Sequence, residues 1–166
     1  MPKPPRQPTD DQPGQKSDIP ASGRLGGVDY GTVRLGVALT DPERIIASPF
    51  ANYDRKTDEL DSLYFRQLVE SEKLVGFIVG LPVHTNGDES QKSLEARAFG
   101  NWLNQETGLP IHFFDERYTS AFANQILATG GMTQKKKKKR LDMIAAQIML
   151  TAYIESGSTN SELGLD

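Results

Sequence analysis

Leu74-Val-Gly-Phe-Ile-Val79 is the stretch on which the fold turns. A nearly all-apolar run of this kind is the signature of a strand covered on both faces, which implies parallel pairing. Upstream, Leu25-Gly-Gly-Val-Asp29 reads as a short strand ending in an acid, and Val33, Leu35, Val37 and Leu39 alternate as a second strand should. Tyr30-Gly31-Thr32 supplies the turn between them, and Ile45 to Tyr53 is a third strand, so the chain opens with an antiparallel meander. Thr57 then offers an N-cap, followed by Asp58, Glu59 and Asp61 at the positive end of a helix whose Leu60, Leu63, Tyr64 and Leu68 are expected to face the core. Downstream of the apolar run, Asp88 or Ser90 opens a second helix carrying Leu94, Ala98, Phe99, Trp102 and Leu103, which Gly108-Leu109-Pro110 closes. Ile111-His-Phe-Phe114 is a fifth strand. A short helix from Thr119 or Ser120 through Leu127 stops at Gly130-Gly131, and a last helix runs from about Lys138 to Glu155.

This order predicts an α/β fold, a mixed five-stranded sheet with an antiparallel edge, a βαβ portion and helices packed on its faces. The chain has 166 residues, enough for one compact domain. Its first 22 residues hold six of the ten prolines and read as a disordered arm, residues 23–155 as the folded domain, and the Gly/Ser/Asn-rich 156–166 as a flexible tail. The absence of cysteine excludes a disulfide framework, a thiolate zinc site and a thiol nucleophile, and it fits a cytoplasmic protein. No apolar run reaches the ~18 residues of a membrane span, so no membrane partner is expected. A net charge of −3 argues against a generic basic nucleic-acid coat, so any such binding must come from a local patch.

In a sheet of this type ligands collect beyond the carboxyl ends of the parallel strands. Asp29 and the pair Asp115-Glu116 both stand at such ends, and they converge on one rim if the first, fourth and fifth strands are parallel neighbours. On the last helix, Leu141, Ile144, Ala145, Ile148 and Ala152 form the expected apolar stripe, with Asp142 about 100° round from Leu141 at its margin. Three carboxylates brought together repel one another, and a bound divalent cation is the usual compensation. Taken singly, each acid has a plainer reading: Asp29 as a turn residue, Asp115-Glu116-Arg117 as a solvated ion-pair cluster, Asp142 as a surface acid favoured by the helix dipole.

Four separated segments change that balance: Gly27-Val-Asp-Tyr-Gly-Thr-Val-Arg-Leu-Gly36, Val79-Gly-Leu-Pro82 with Gly87, Asp115-Glu-Arg-Tyr-Thr-Ser120, and Lys138-Lys-Arg-Leu-Asp-Met-Ile-Ala-Ala146. In this order the chain resembles the YqgF-type pre-16S rRNA nucleases, also called Holliday-junction-resolvase-like proteins, from Leu25 to Glu155. The resemblance implies an RNase H-like fold and metal-dependent phosphodiester hydrolysis, with Mg²⁺ or Mn²⁺ held by Asp29, Glu116 and Asp142 as catalytic and metal-binding residues. Hard cations of this kind take oxygen ligands and keep several waters, so neither cysteine nor histidine is required. It further implies a nucleic-acid partner, structured RNA or branched DNA, a role in pre-16S rRNA end maturation or junction resolution, and a monomer or homodimer.

Around the acids, Gly31, Gly36, Gly80 and Gly87 are most simply turn and strand-end glycines that also let a phosphodiester backbone approach closely, and Gly80-Leu-Pro82 through Asn86-Gly87 is read as a substrate-facing loop. Arg34 either pairs with a carboxylate or grips phosphate, whereas Arg117 leans to phosphate, and Thr119 follows it on the same segment. Lys135 to Arg140, including Lys138, Lys139 and Arg140, is the dense basic run. Such runs are most often solvated loops, yet this one adjoins Asp142 and is a candidate phosphate-gripping arm. His84 and His112 lack partners at ligand spacing, and Trp102, Phe113 and Phe114 are read as core. Two rival readings remain: an actin-like or sugar-kinase-like phosphotransferase, suggested by Asp29-x-Gly31 and Gly36 but opposed by the length, and a non-catalytic RNA-binding factor.

Overall fold

The computed structural model describes residues 18–82, 90–115 and 134–162, and along the last helix the side chains of residues 142–157. Five strands, β1 (Arg24–Asp29), β2 (Arg34–Thr40), β3 (Ala47–Asp54), β4 (Leu74–Leu81) and β5 (Ile111–Asp115), form one sheet in the order β3-β2-β1-β4-β5. The β1-β2-β3 meander is antiparallel, and β4 and β5 join β1 in parallel. Helices α1 (Asp58–Glu72) and α2 (Gln91–Thr107) cover one face, and α3 (Gln134–Glu162) lies across β1, β2 and β3 on the other. This is the mixed five-stranded sheet with helices on both faces that was expected of an RNase H-like chain. The expected short helix of Thr119–Leu127 lies outside the described residues.

Local chemistry sets the helix ends. Thr57, in extended backbone, accepts from the Leu60 amide at 3.2 Å, with three acids in the first turn, and Lys73 closes α1 in the left-handed region at φ 54°. Ser90 does the same for α2, accepting from the Ser93 amide at 3.1 Å while donating to the Pro82 carbonyl at 3.1 Å, so the end of β4 is tied to the start of α2. Gly108 ends α2 at φ 73°.

Two cores result, one on each face of the sheet. Val28, Leu35, Val37, Phe65, Phe77, Val79 and Leu103 pack beneath α1 and α2, and Leu25, Ala38, Ile78, Ala146, Met149 and Leu150 beneath α3. Each fully buried Leu, Ile or Phe contributes about 1.5–3 kcal/mol of transfer free energy. β4 is buried along almost its whole length, as its all-apolar run demands. Phe113 is buried, and Trp102 and Phe114 pack against the two cores.

Several helix faces differ from the sequence expectation. On α1, Leu60 and Leu63 are 48% and 50% exposed, and the inward face is Asp61, Ser62, Phe65 and Leu68. Asp61 is drawn in because its Oδ1 accepts from the Tyr53 hydroxyl at 2.7 Å and from the Lys56 amide at 2.9 Å. On α2, Leu94 and Ala98 face outward, and small Ser93 and Gly100 face the sheet, since a Cβ at Gly100 would overlap the Phe113 ring. Strand β3 begins at Ala47, not Ile45. Both Ile45 and Ile46 stand in a turn pinned by Asp41 Oδ1, which accepts both their amides at 2.8 Å. Val33 is exposed, and β2 is covered on both faces in place of simple alternation.

The termini of the fold also extend further than composition suggested. Ile19 packs against the α3-side core beside Gly76, so the ordered packing starts within the segment read as an arm. Helix α3 starts at Gln134 and continues to Glu162 through residues read as a tail, because adding residues to a formed helix costs far less than nucleating one. Among the described residues no helix is long and apolar enough to cross a membrane.

Burial, and then the Asp61 hydrogen bond, push the Tyr53 phenol far above its ordinary value of 10.0. The folded chain therefore keeps a proton that the unfolded chain releases, so this stabilisation is complete below pH 10.0 and is lost as the pH climbs above it. Tyr53→Phe should flatten the alkaline decline, read as urea midpoints at about pH 9 and pH 11. Tyr64, raised by burial, leaves a residual slope.

Candidate functional site

Strand alternation decides which side chains meet α3. Leu25 belongs to the α3-side core, and a Cβ at Gly27 would lie 3.2 Å from Leu150, so the next residue of that parity, Asp29, closes β1 on the α3 face. Asp29 pairs with Gly36, and Gly36 pairs in turn with Asn52. On the other flank Val28 pairs with Val79, and Gly80 with Phe114. One row across the sheet therefore reads Asn52, Gly36, Asp29, Gly80, Phe114, at the carboxyl ends of the parallel strands.

Helix α3 lands on this row. A Cβ at Gly36 would overlap the Asp142 carbonyl and come within 2.8 Å of the Met143 nitrogen, so the helix backbone rests directly on β2. Asn52 Oδ1 accepts the Met143 amide at 3.0 Å, and one turn later Gln147 Nε2 donates to the Ala47 carbonyl at 3.2 Å. The buried stripe of α3 is Ala146, Met149 and Leu150, with Tyr153 half-buried, and Asp142 stands at its head with the i, i+4, i+7, i+8 spacing. The Leu141-Ile144-Ala145-Ile148-Ala152 stripe expected from sequence is corrected by roughly a third of a turn. Two glycines of the sheet, Gly27 and Gly36, receive the helix on the face where it can approach most closely. That rotation carries Asp142 from the margin of the buried face into its line, toward Asp29.

Arg34 shares the parity of Gly36, and its Nε is 3.7 Å from Asp142 Oδ2, both side chains being about 30% exposed (30% and 31%). Gly80 supplies no side chain beside Asp29. Gly31 is glycine for a local reason, since a Cβ there would overlap the Arg34 carbonyl across the β1–β2 turn. Pro82 follows β4 and offers its carbonyl to Ser90. Asp115 ends β5 opposite Leu81, and alternation groups it with Ile111 and Phe113 on the α1/α2 side, away from Asp29. His112 and Phe114, of the other parity, meet Tyr153 of α3 at 5.2 and 6.2 Å between ring centroids.

Of the sequence-predicted residues, Asp29, Asp142, Arg34 and Gly80 are thus brought to one place. Glu116, Arg117, Thr119 and Gly87 lie outside the described residues, as do the side chains of Lys138, Lys139 and Arg140, whose backbone forms the second turn of α3. Among the described residues no group of three or more His, Cys, Asp or Glu could hold a metal ion. The carboxylates of Asp29, paired with Gly36, and of Asp142, whose peptide rests on Gly36, offer oxygen only, which suits a hard divalent cation and no thiophilic one.

Two residues of the site escaped the sequence reading. Asn52, on an edge strand, carried no local signal. Arg55, just beyond β3, donates from Nη1 to the Tyr30 hydroxyl and the Gly31 carbonyl at 3.4 Å each, stacks over Tyr30 and Phe99, and faces buried Asp61 at 3.7 Å. Together with its amide bond to the Val33 carbonyl at 2.9 Å, it braces the turn that follows Asp29. Because α3 backbone occupies the space a side chain would need, Gly36→Ala should lift the helix from β2 and cost on the order of 1–3 kcal/mol in chemical denaturation. Gly157→Ala, with nothing within 4 Å, should cost no stability in the same assay.

Comparison with known proteins relates the chain to one described family. The family described as "RuvX: Holliday junction resolvase" matches residues 23–156. A Rhodopirellula baltica protein named "Putative pre-16S rRNA nuclease" is 48% identical over 145 residues, 87% of this chain and 84% of that protein. A Koribacter versatilis protein of the same name is 35% identical over 140 residues, 84% of this chain and 92% of that one. Among solved structures, the chain is similar to T. thermophilus RuvC in complex with a Holliday junction substrate, at 12% identity and a TM-score of 0.48, over 82% of this chain and 96% of that one. With a family match across most of its length and relatives aligned over more than four-fifths of it, the chain belongs to the RuvX family.

Proposed function

We propose that this protein is a divalent-cation-dependent nuclease that cuts phosphodiester bonds in structured RNA, with maturation of pre-16S rRNA ends as its role. The observation that carries the reading is the seating of α3 on Gly36, which draws Asp142 toward Asp29 at the carboxyl end of the sheet, with Arg34 against Asp142. Asp29 and Asp142 would hold Mg²⁺ or Mn²⁺, and Glu116, next in chain after Asp115, is proposed as the third carboxylate. When bound, such cations supply Lewis acidity at the attacking and leaving oxygens of an in-line displacement.

What the chain itself contributes is positioning and charge balance. Arg34, with its Nε 3.7 Å from Asp142 Oδ2, offsets part of the mutual repulsion of the acids. Gly80, next to Asp29 along the row, would put no side chain between the carboxylates and an approaching sugar-phosphate backbone. Lys138, Lys139 and Arg140, up to about one turn N-terminal of Asp142 on the same helix, grip flanking phosphates and give an acidic protein a local attraction for a polyanion. Arg117, Thr119, Gly87, Gly31 and Pro82 complete the proposed substrate contacts. The cysteine-free composition fits work in a reducing cytoplasm.

Resolution of branched DNA is the second reading, favoured by the description of the matching family, since backbone hydrolysis uses the same carboxylates on either polymer. Asp29→Asn should abolish Mg²⁺-stimulated cleavage of precursor RNA, by at least about 10³-fold, with unfolding unchanged. Retained turnover in that variant removes the role assigned to Asp29. In the same assay a four-way DNA junction should be cut less efficiently than the RNA, and the reverse preference, with a dimeric mass in solution, selects the resolvase. Replacing Lys138, Lys139 and Arg140 by glutamine should weaken RNA binding and flatten its dependence on log salt by roughly two units or more.

A further inference from the structure

The site row holds a residue to which neither the family motifs nor the proposed chemistry assigns a role. Asn52 lies on the outermost strand of the sheet, two strands from Asp29, and is half-buried under α3. Its Oδ1 accepts the amide of Met143 at 3.0 Å. Met143 is the tenth residue of a 29-residue helix, where an amide is ordinarily served by the carbonyl four residues earlier. An acceptor arriving from a strand side chain at mid-helix therefore does something other than cap a terminus.

Its position says what. The Met143 amide follows Asp142 directly in the chain, and the same peptide rests on Gly36, the residue paired both to Asn52 and to Asp29. Gly36 sets how close the helix comes to the sheet, but a glycine contact is smooth and leaves the helix free to slide along it or turn about its axis. A directional hydrogen bond at that peptide removes both freedoms. The Gln147 bond to the Ala47 carbonyl, one turn on, pins the same helix face to the same strand.

We propose that Asn52 is a positioning residue for the nuclease site: through the Met143 amide it fixes the register of α3 over β2 and so sets where the Asp142 carboxylate stands relative to Asp29. The proposal rests on the reading of Asp29 and Asp142 as the working carboxylates. It assigns a function to the antiparallel edge of the sheet, which holds none of the acids. Hydrogen-bonded partners of this kind behind a cation-binding carboxylate commonly change affinity or activity by roughly 10- to 100-fold when removed.

The test uses the full chain and four variants, Asn52→Ala, Asn52→Asp, Asp29→Asn and Asp142→Asn. In Asn52→Ala, exchange of the Met143 amide should accelerate by about fivefold to tenfold, the cost of one hydrogen bond. Asn52→Asp, which keeps an acceptor oxygen at the same place, should restore its protection. Calorimetry with MnCl₂ alone should show Asn52→Ala binding about tenfold more weakly. In the RNA assay kcat should fall with KM unchanged, while thermal unfolding shifts by no more than a few degrees. Unchanged Met143 exchange in Asn52→Ala overturns the proposal. So does unchanged Mn²⁺ affinity and kcat in Asn52→Ala when Asp142→Asn lowers both, or a loss in Asn52→Ala that merely follows a large drop in unfolding temperature. If Asp29→Asn and Asp142→Asn themselves bind Mn²⁺ and cut RNA as the parent does, the carboxylate reading fails, and the positioning role fails with it even where the exchange result holds.

Discussion

The contact between the Asp142–Met143 peptide and Gly36 fixes how α3 meets the sheet. A helix normally stands off a sheet by the length of the side chains between them, about 10 Å. Here β2 has no side chain at the point of crossing, so the α3 backbone descends onto the strand and brings its acid into the plane where β1 ends. Gly27 does the same for the next turns of the helix, admitting Leu150 and Met149. The same two absences that give the α3-side core its close packing thus decide which carboxylate reaches the rim.

The opposite face does complementary work. Phe65, Phe77, Phe99 and Leu103 make a rigid apolar layer under α1 and α2, in which rings meet edge to face at about 6 Å. One carboxylate is sunk into that layer: Asp61, 1% exposed, is held by the Tyr53 hydroxyl, the Lys56 amide and Arg55. A buried acid with its lone pairs so occupied is a brace. Through Arg55 it reaches the Tyr30–Gly31 turn that follows Asp29, so the strand carrying the first acid is steadied from the α1/α2 face while the second acid is set from the α3 face.

Charge is distributed to match. The protein is acidic overall, and its one dense block of cations precedes Asp142 on the same helix. The surface ion pairs Arg24–Glu72 and Arg66–Glu106 add little by comparison.

The sequence by itself determined the order of the five strands, the antiparallel meander, the parallel pairing of the all-apolar β4, the caps at Thr57 and Gly108, and the strand-end place of Asp29, because alternation, capping and unbroken apolar runs are local properties. It also carried the four motifs that mark the family. Which face each helix buries was decided by tertiary structure: Leu60, Leu63 and Leu94 turned outward and Asp61 inward, since a hydrogen bond from Tyr53 eight residues away and the room left by Gly36 and Gly100 outweigh hydrophobic periodicity. Asn52 and Arg55 were invisible for the same reason. The role of Arg55 comes from the Tyr30–Gly31 turn and the Asp61 carboxylate that the fold brings to it, that of Asn52 from the backbone that crosses above it, and a strand residue contains no record of the helix that will lie on it some ninety positions later.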